Sequence, residues 1–141
     1  MIFNPFKKTE SDEKFDRDES LIRVAALLVH AAKIDENYSQ KEVKIIKNFL
    51  KSLNEDVDVE NIIKKAEIDE RDSSQILKYT QEIKKNTLKF RTKIIKVLWK
   101  IILSDDNSDM YEGNLMRRIC GLLYISDRIS GEIKSEILKE K

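Results

Sequence analysis

The sequence predicts an all-α, single-domain bundle of about seven helices that contains two pseudo-symmetric helical hairpins, on three observations. Only three Gly and one Pro punctuate 141 residues rich in Lys, Glu, Leu and Ile, so helix-forming material dominates. Apolar residues recur at i, i+3 and i+4 almost throughout, and no segment alternates with period two for long enough to make a strand. Lastly, Asp35-Glu-Asn-Tyr-Ser-Gln-Lys-Glu42 and Asp105-Asp-Asn-Ser-Asp-Met-Tyr-Glu112 align without a gap at an offset of 70. The match continues downstream, where Ile45, Ile46, Phe49 and Leu53 fall opposite Leu115, Met116, Ile119 and Leu123, as duplication of a helix-turn-helix unit requires.

The elements follow in order. Residues 1–18 mix charges too densely to pack, which makes them a mobile segment, and the domain runs over 19–141. Leu21, Val24, Ala25, Leu28 and Ala32 form the buried stripe of a first helix that runs to about Lys33. The second spans Gln40 to Leu53 on Val43, Ile46, Phe49, Leu50 and Leu53, and Asn54-Glu-Asp breaks it. Two shorter helices follow, one on Val59, Ile62, Ile63 and Ala66, the other opened by Ser73 or Ser74 and carrying Ile76, Leu77, Tyr79, Thr80 and Ile83. A long fifth helix covers Leu88 to Ser104, a sixth Met110 to Leu123, and a last short one begins at Asp127 on Ile129, Ile133 and Ile137.

Charge and composition narrow the function classes. The net charge is +1, yet residues 1–83 carry −4 and residues 84–141 carry +5. Lys84 to Lys100 holds seven basic residues and no acidic one. Lys85, Lys89, Lys93, Lys96 and Lys100 are spaced by three and four, as the solvated face of an amphipathic helix whose other face is Phe90, Ile94, Leu98 and Ile101. A nearly neutral domain with few aromatics on that face is a poor nucleic-acid binder. Cys120 has no disulfide partner and lies in an apolar run, a buried small hydrophobe that fits a cytoplasmic location. No apolar run approaches the roughly 20 residues of a spanning helix, and the start lacks a secretion signal. Ile2, Phe3 and Phe6 beside Lys7 and Lys8 offer a marginal peripheral membrane contact. With one His, one Cys and no glycine-rich loop, the expectation is a protein that is not an enzyme.

The duplicated acids are the candidate site. Ser39-x-x-Glu42 has the layout of a capping box, and Asp109-x-x-Glu112 repeats it, so both glutamates have a structural task at a helix N-terminus. Asp35 and Asp105 follow helix C-termini, where a side chain turns onto the amides of its own turn. The alternative is a hard-cation site, since oxygen-only sets suit Ca²⁺, Mg²⁺ or Mn²⁺. Its ligands would be Asp35, Glu42, Asp105, Asp109 and Glu112. An EF-hand is excluded, because Met110 and Met116 stand where its Gly and bidentate Glu belong. Tyr38 and Tyr111 sit at the two turns, and His30 lies near the first. Exposed, the tyrosines would make an interaction patch; buried, they would brace the hairpins.

The run Leu21-Ile-Arg-Val-Ala-Ala-Leu-Leu-Val-His-Ala-Ala-Lys-Ile-Asp35 resembles the first helix and turn of the TerB-like tellurite-resistance family. Val97-Leu-Trp-Lys-Ile-Ile-Leu-Ser-Asp105, Tyr111-Glu-Gly-Asn-Leu-Met-Arg-Arg-Ile and Leu122-Leu-Tyr-Ile-Ser-Asp-Arg resemble its second half, so the likeness covers about Leu21 to Ile137. It implies an all-helical pseudo-symmetric bundle, related to the N-terminal domain of the DjlA co-chaperones, with a link to metal ions and membrane-associated stress complexes. The family's acidic turn positions fall on Asp35, Glu42, Asp105, Asp109 and Glu112. Glu36 and Asp106 replace its turn glycines, and His30 stands where an acidic residue is common. Two readings result: a helical interaction or scaffold module with a protein partner, or a divalent-cation sensor.

Overall fold

The computed structural model describes residues 18–34, 38–73, 76–105 and 110–140. They form α1 (Asp18–Ala32), α2 (Gln40–Leu53), α3 (Val59–Ser73), α4 (Ile76–Lys84), α5 (Leu88–Ile102), α6 (Met110–Leu123) and α7 (Asp127–Glu140), with a 3₁₀ turn at Leu103–Asp105. Among the described residues no strand occurs and no helix is long and apolar enough to cross a membrane. Asp18 is already helical, while the expected mobile segment at residues 1–17 lies outside the described residues.

The duplication extends further than the turns. A shift of 70 residues carries Asp18–Ala32 onto Leu88–Ile102 and Gln40–Leu53 onto Met110–Leu123. Burial repeats with it: Val24, Ala25, Leu27, Leu28, Val29, Ala31 and Ala32 are buried, and so are Ile94, Ile95, Val97, Leu98, Trp99, Ile101 and Ile102. Each half is a hairpin closed by a third helix, α3 against α1 and α7 against α5, and α1 meets α5 at the centre. Helix α4 has no such counterpart among the described residues; it packs between α1 and α6.

Helix α1 is more deeply buried than a stripe. Ala26, Leu27, Val29 and Ala31 are buried with the predicted positions, because α2, α3, α4 and α5 all pack on this one helix. A helix apolar on every side needs such a place, and its alanines let neighbours approach closely. Three further expectations shift. Helix α3 has 15 residues and α7 has 14, so neither is short. Helix α5 ends at Ile102, where the chain tightens into the 3₁₀ turn. Leu77 is 53 % exposed, because α4 turns only Ile76, Tyr79, Thr80 and Ile83 inward among the residues assigned to its stripe.

Polar contacts fix the joints. Glu82 on α4 accepts from the Ser20 hydroxyl at 2.8 Å and the Arg23 guanidinium at 3.1 Å, tying α4 to α1. Burial opposes ionisation of Glu82, but Ser20, Lys85 and Arg23 outweigh it and hold the carboxyl below the usual range. Thr87 caps α5 by accepting from the amide of Phe90, and Arg91 donates to the carbonyl of Leu123 at the end of α6. The Trp99 indole N–H donates to the Ser130 hydroxyl at 2.9 Å, tying α5 to α7. Cys120 is buried, and that burial pushes its thiol up, with Asp127 adding to the effect and a bond to Ser130 opposing it.

Helix α6 closes through a Schellman motif in which the amide of Ile125 bonds the carbonyl of Cys120 and that of Tyr124 bonds Gly121. Tyr124 takes the left-handed position, φ 58, where glycine is favoured. Tyr124→Gly is expected to stabilise the domain by about 1 kcal/mol, read as a raised midpoint in urea with unchanged slope. An unchanged or lowered midpoint would mean that the ring, over which Lys84 sits at 5.2 Å, contributes more than the strain removes.

Candidate functional site

The first acidic turn is anchored from α3, not only from itself. Ser39 and Glu42 form the predicted capping box, with the Glu42 carboxylate accepting from the Ser39 amide at 2.7 Å. The Ser39 hydroxyl also donates to that carboxylate, at 3.0 Å. Tyr38 is half-buried and donates to Glu67 at 2.6 Å, so it braces the turn against α3. Burial first, then the bond to Glu67 and the charges of Glu67, Glu42 and Glu70, push the Tyr38 hydroxyl far above the ordinary phenol range. His30 Nδ1 lies 3.0 Å from Glu70, and Lys33 donates to the same carboxylate at 2.8 Å. Glu70 is buried, and a buried carboxylate needs such partners.

Of the acids assigned from the sequence, Glu42 is therefore placed, as a cap. Asp35, Asp109 and the side chains of Asp105, Tyr111 and Glu112 lie outside the described residues. Among the described residues no group of three or more His, Cys, Asp or Glu is placed to hold a metal ion. Around Tyr38 the carboxylates already receive protein donors: Glu42 from Ser39, Glu67 from Tyr38, Glu70 from Lys33. That portion of the turn does not by itself fit a cation. Glu67 and Glu70 were not singled out by sequence reasoning, although a signal existed. Val59, Ile63 and Ala66 set the buried stripe of α3, and Glu70 continues it one turn on, where an acid must be paired.

A second feature lies on the opposite charge. Helices α2 and α5 pack side by side and leave a groove of about 410 Å³ lined by Ile45, Asn48, Phe49 and Ser52 on one wall and Lys93, Lys96, Val97 and Lys100 on the other. Phe49 is held at its base by Phe90, the ring centroids 6.5 Å apart. Helix α5 carries Lys89, Arg91, Lys93, Lys96 and Lys100 and no acid, and the single acid of α2 is the capping Glu42. Among the described residues no carboxylate pairs with Lys93, Lys96 or Lys100. A second depression, of about 530 Å³ between α5 and α7, is lined by Leu88, Ile133 and Glu136 and shares Lys93 and Lys96. The sequence marked this lysine face as merely solvated; the apolar floor beside it comes from Ile45 and Phe49 on α2 and was not visible in the spacing of α5.

The model of one protein family, described as tellurite resistance protein TerB, matches residues 21–135. Neither the curated proteins nor the solved structures gave a match.

Proposed function

The chain belongs to the TerB family, and from that premise we propose that it is a non-enzymatic interaction or scaffold module, acting in stress or in the tellurite resistance that the family's description names. The groove between α2 and α5 carries this reading. It combines an apolar floor with a rim of one charge on a rigid pair of helices, the arrangement by which a helical domain holds a protein partner. A photo-reactive amino acid at Ser52 in the groove is expected to give a discrete protein adduct in cells, and one at Lys64 on the exposed face of α3 is not. Absence of adducts from Ser52 would count against the interaction reading.

A divalent-cation sensor built on Asp35, Glu42, Asp105, Asp109 and Glu112 is the second reading. What favours it is that three carboxylates, Glu42, Glu67 and Glu70, gather about Tyr38 at the first turn. An ion at about 100 times its dissociation constant should add about 2.7 kcal/mol of stability. Melts in EDTA, Ca²⁺, Mg²⁺ and Mn²⁺ test this, with Asp35→Asn/Asp105→Asn as control. A shift of roughly 5–10 °C that the double variant lacks would favour the sensor; no shift with any of these ions would remove it.

A further inference from the structure

The two halves match helix for helix except at α4, and setting the α5 wall of the groove beside its counterpart on α1 points to what the groove receives. Exchanging the halves relates α1 to α5 and α6 to α2. Helix α4 lies against α1 and α6. At the related place α5 and α2 contact each other directly and leave the groove open along their junction. The α5 wall makes the comparison residue by residue. Lys93, Lys96, Val97 and Lys100 correspond to Arg23, Ala26, Leu27 and His30 of α1. There Arg23 is bonded to Glu82 of α4, His30 to Glu70 of α3, and Ala26 and Leu27 are fully buried. On α5 the three lysines face solvent instead.

We propose that the α2/α5 groove receives one acidic amphipathic helix of a partner protein, lying along the junction of those two helices. Its apolar stripe sits on Ile45, Phe49 and Val97, and carboxylates along its flank meet Lys93, Lys96 and Lys100, as Glu82 meets Arg23 within the domain. Charge selects the occupant. The wall facing it carries three lysines and no acid, so a neutral helix would desolvate those charges without compensating them and a basic one would repel them. Lys93 to Lys100 spans about 10 Å along α5, two turns of contact for the incoming helix. The inference rests on the interaction reading and names its partner by chemistry.

The probe is a synthetic peptide of about 16 residues, roughly four helical turns, with Leu at i, i+3, i+4 and i+7 and Glu on both flanks. It is titrated into the ¹⁵N-labelled full chain beside a Lys-for-Glu version, phosphatidylserine vesicles and a DNA duplex. The expected result is saturable shifts confined to α2 and α5 with the acidic peptide. Affinity falls at least tenfold in Lys93→Glu/Lys96→Glu/Lys100→Glu and in Asn48→Trp, which fills the groove without changing charge, and is unchanged in Lys64→Glu/Lys65→Glu on α3. Melts establish that each variant folds, and the neutral Asn48→Trp carries the test if the charge reversal does not. No binding, shifts elsewhere, unchanged affinity in Asn48→Trp, or groove shifts from vesicles or duplex in preference to the peptide would overturn it. A Ser52 adduct in cells without peptide binding removes this partner and keeps the interaction reading; loss of both removes both.

Discussion

Leu28→Ala and Leu98→Ala are each expected to cost about 3 kcal/mol and to lower the melting temperature by about 10 °C. Both leucines are fully buried, one on α1 and the other at the related position of α5, where the two halves meet. Truncation removes the transfer free energy of the side chain and leaves a cavity that helices packed on several sides cannot collapse. Because the sites are related by the exchange of halves, their costs should agree within about 1 kcal/mol, which urea denaturation of the two variants measures. A much smaller cost at Leu98 would mean that the second half is looser than its burial implies.

The next largest effect is expected at Glu82. Glu82→Gln keeps the volume but removes the charge that Ser20, Arg23 and Lys85 surround, at a cost of about 2 kcal/mol near neutral pH. The sign with pH follows from the direction of its shift. The folded carboxyl titrates below its ordinary value of 4.5, so its contribution is present above that value and is lost as pH falls through the folded one. Wild type and variant should therefore differ in stability at pH 7 and converge toward the bottom of the acid range. A difference that stayed constant with pH would assign the loss to packing and not to the charge.

Much of this fold is legible in the sequence because periodicity is local. The bounds of α2 and α6 coincide with those read from spacing, since Ser39 caps one and the apolar heptad-like positions repeat in the other. Where spacing misleads, the cause lies in neighbours that the sequence does not name. Leu77 has the right interval for the core, yet α4 presents it to water. Ala26 and Val29 fall outside the predicted stripe, yet four helices close over α1. The site follows the same rule. Glu42 was readable as a cap three residues after Ser39, whereas the pairing of Tyr38 with Glu67 and of Lys33 with Glu70 joins positions 29 and 37 residues apart. The groove is of this kind too, lysines from one helix and an apolar floor from another. Its meaning emerges only when the lysine wall of α5 is set beside the buried, partnered wall of α1.

A charge swap tests the lysine rim most directly. Wild type and Lys93→Glu are each paired with the acidic peptide and with a version in which only the Glu that meets position 93 is replaced by Lys, and the four affinities are measured by titration at low and moderate salt. The account predicts at least a tenfold loss for the variant with the acidic peptide and recovery of most of it with the swapped one, both effects shrinking as salt rises. Equal loss with both peptides, or no loss with either, would contradict a groove that selects its helix through this lysine rim.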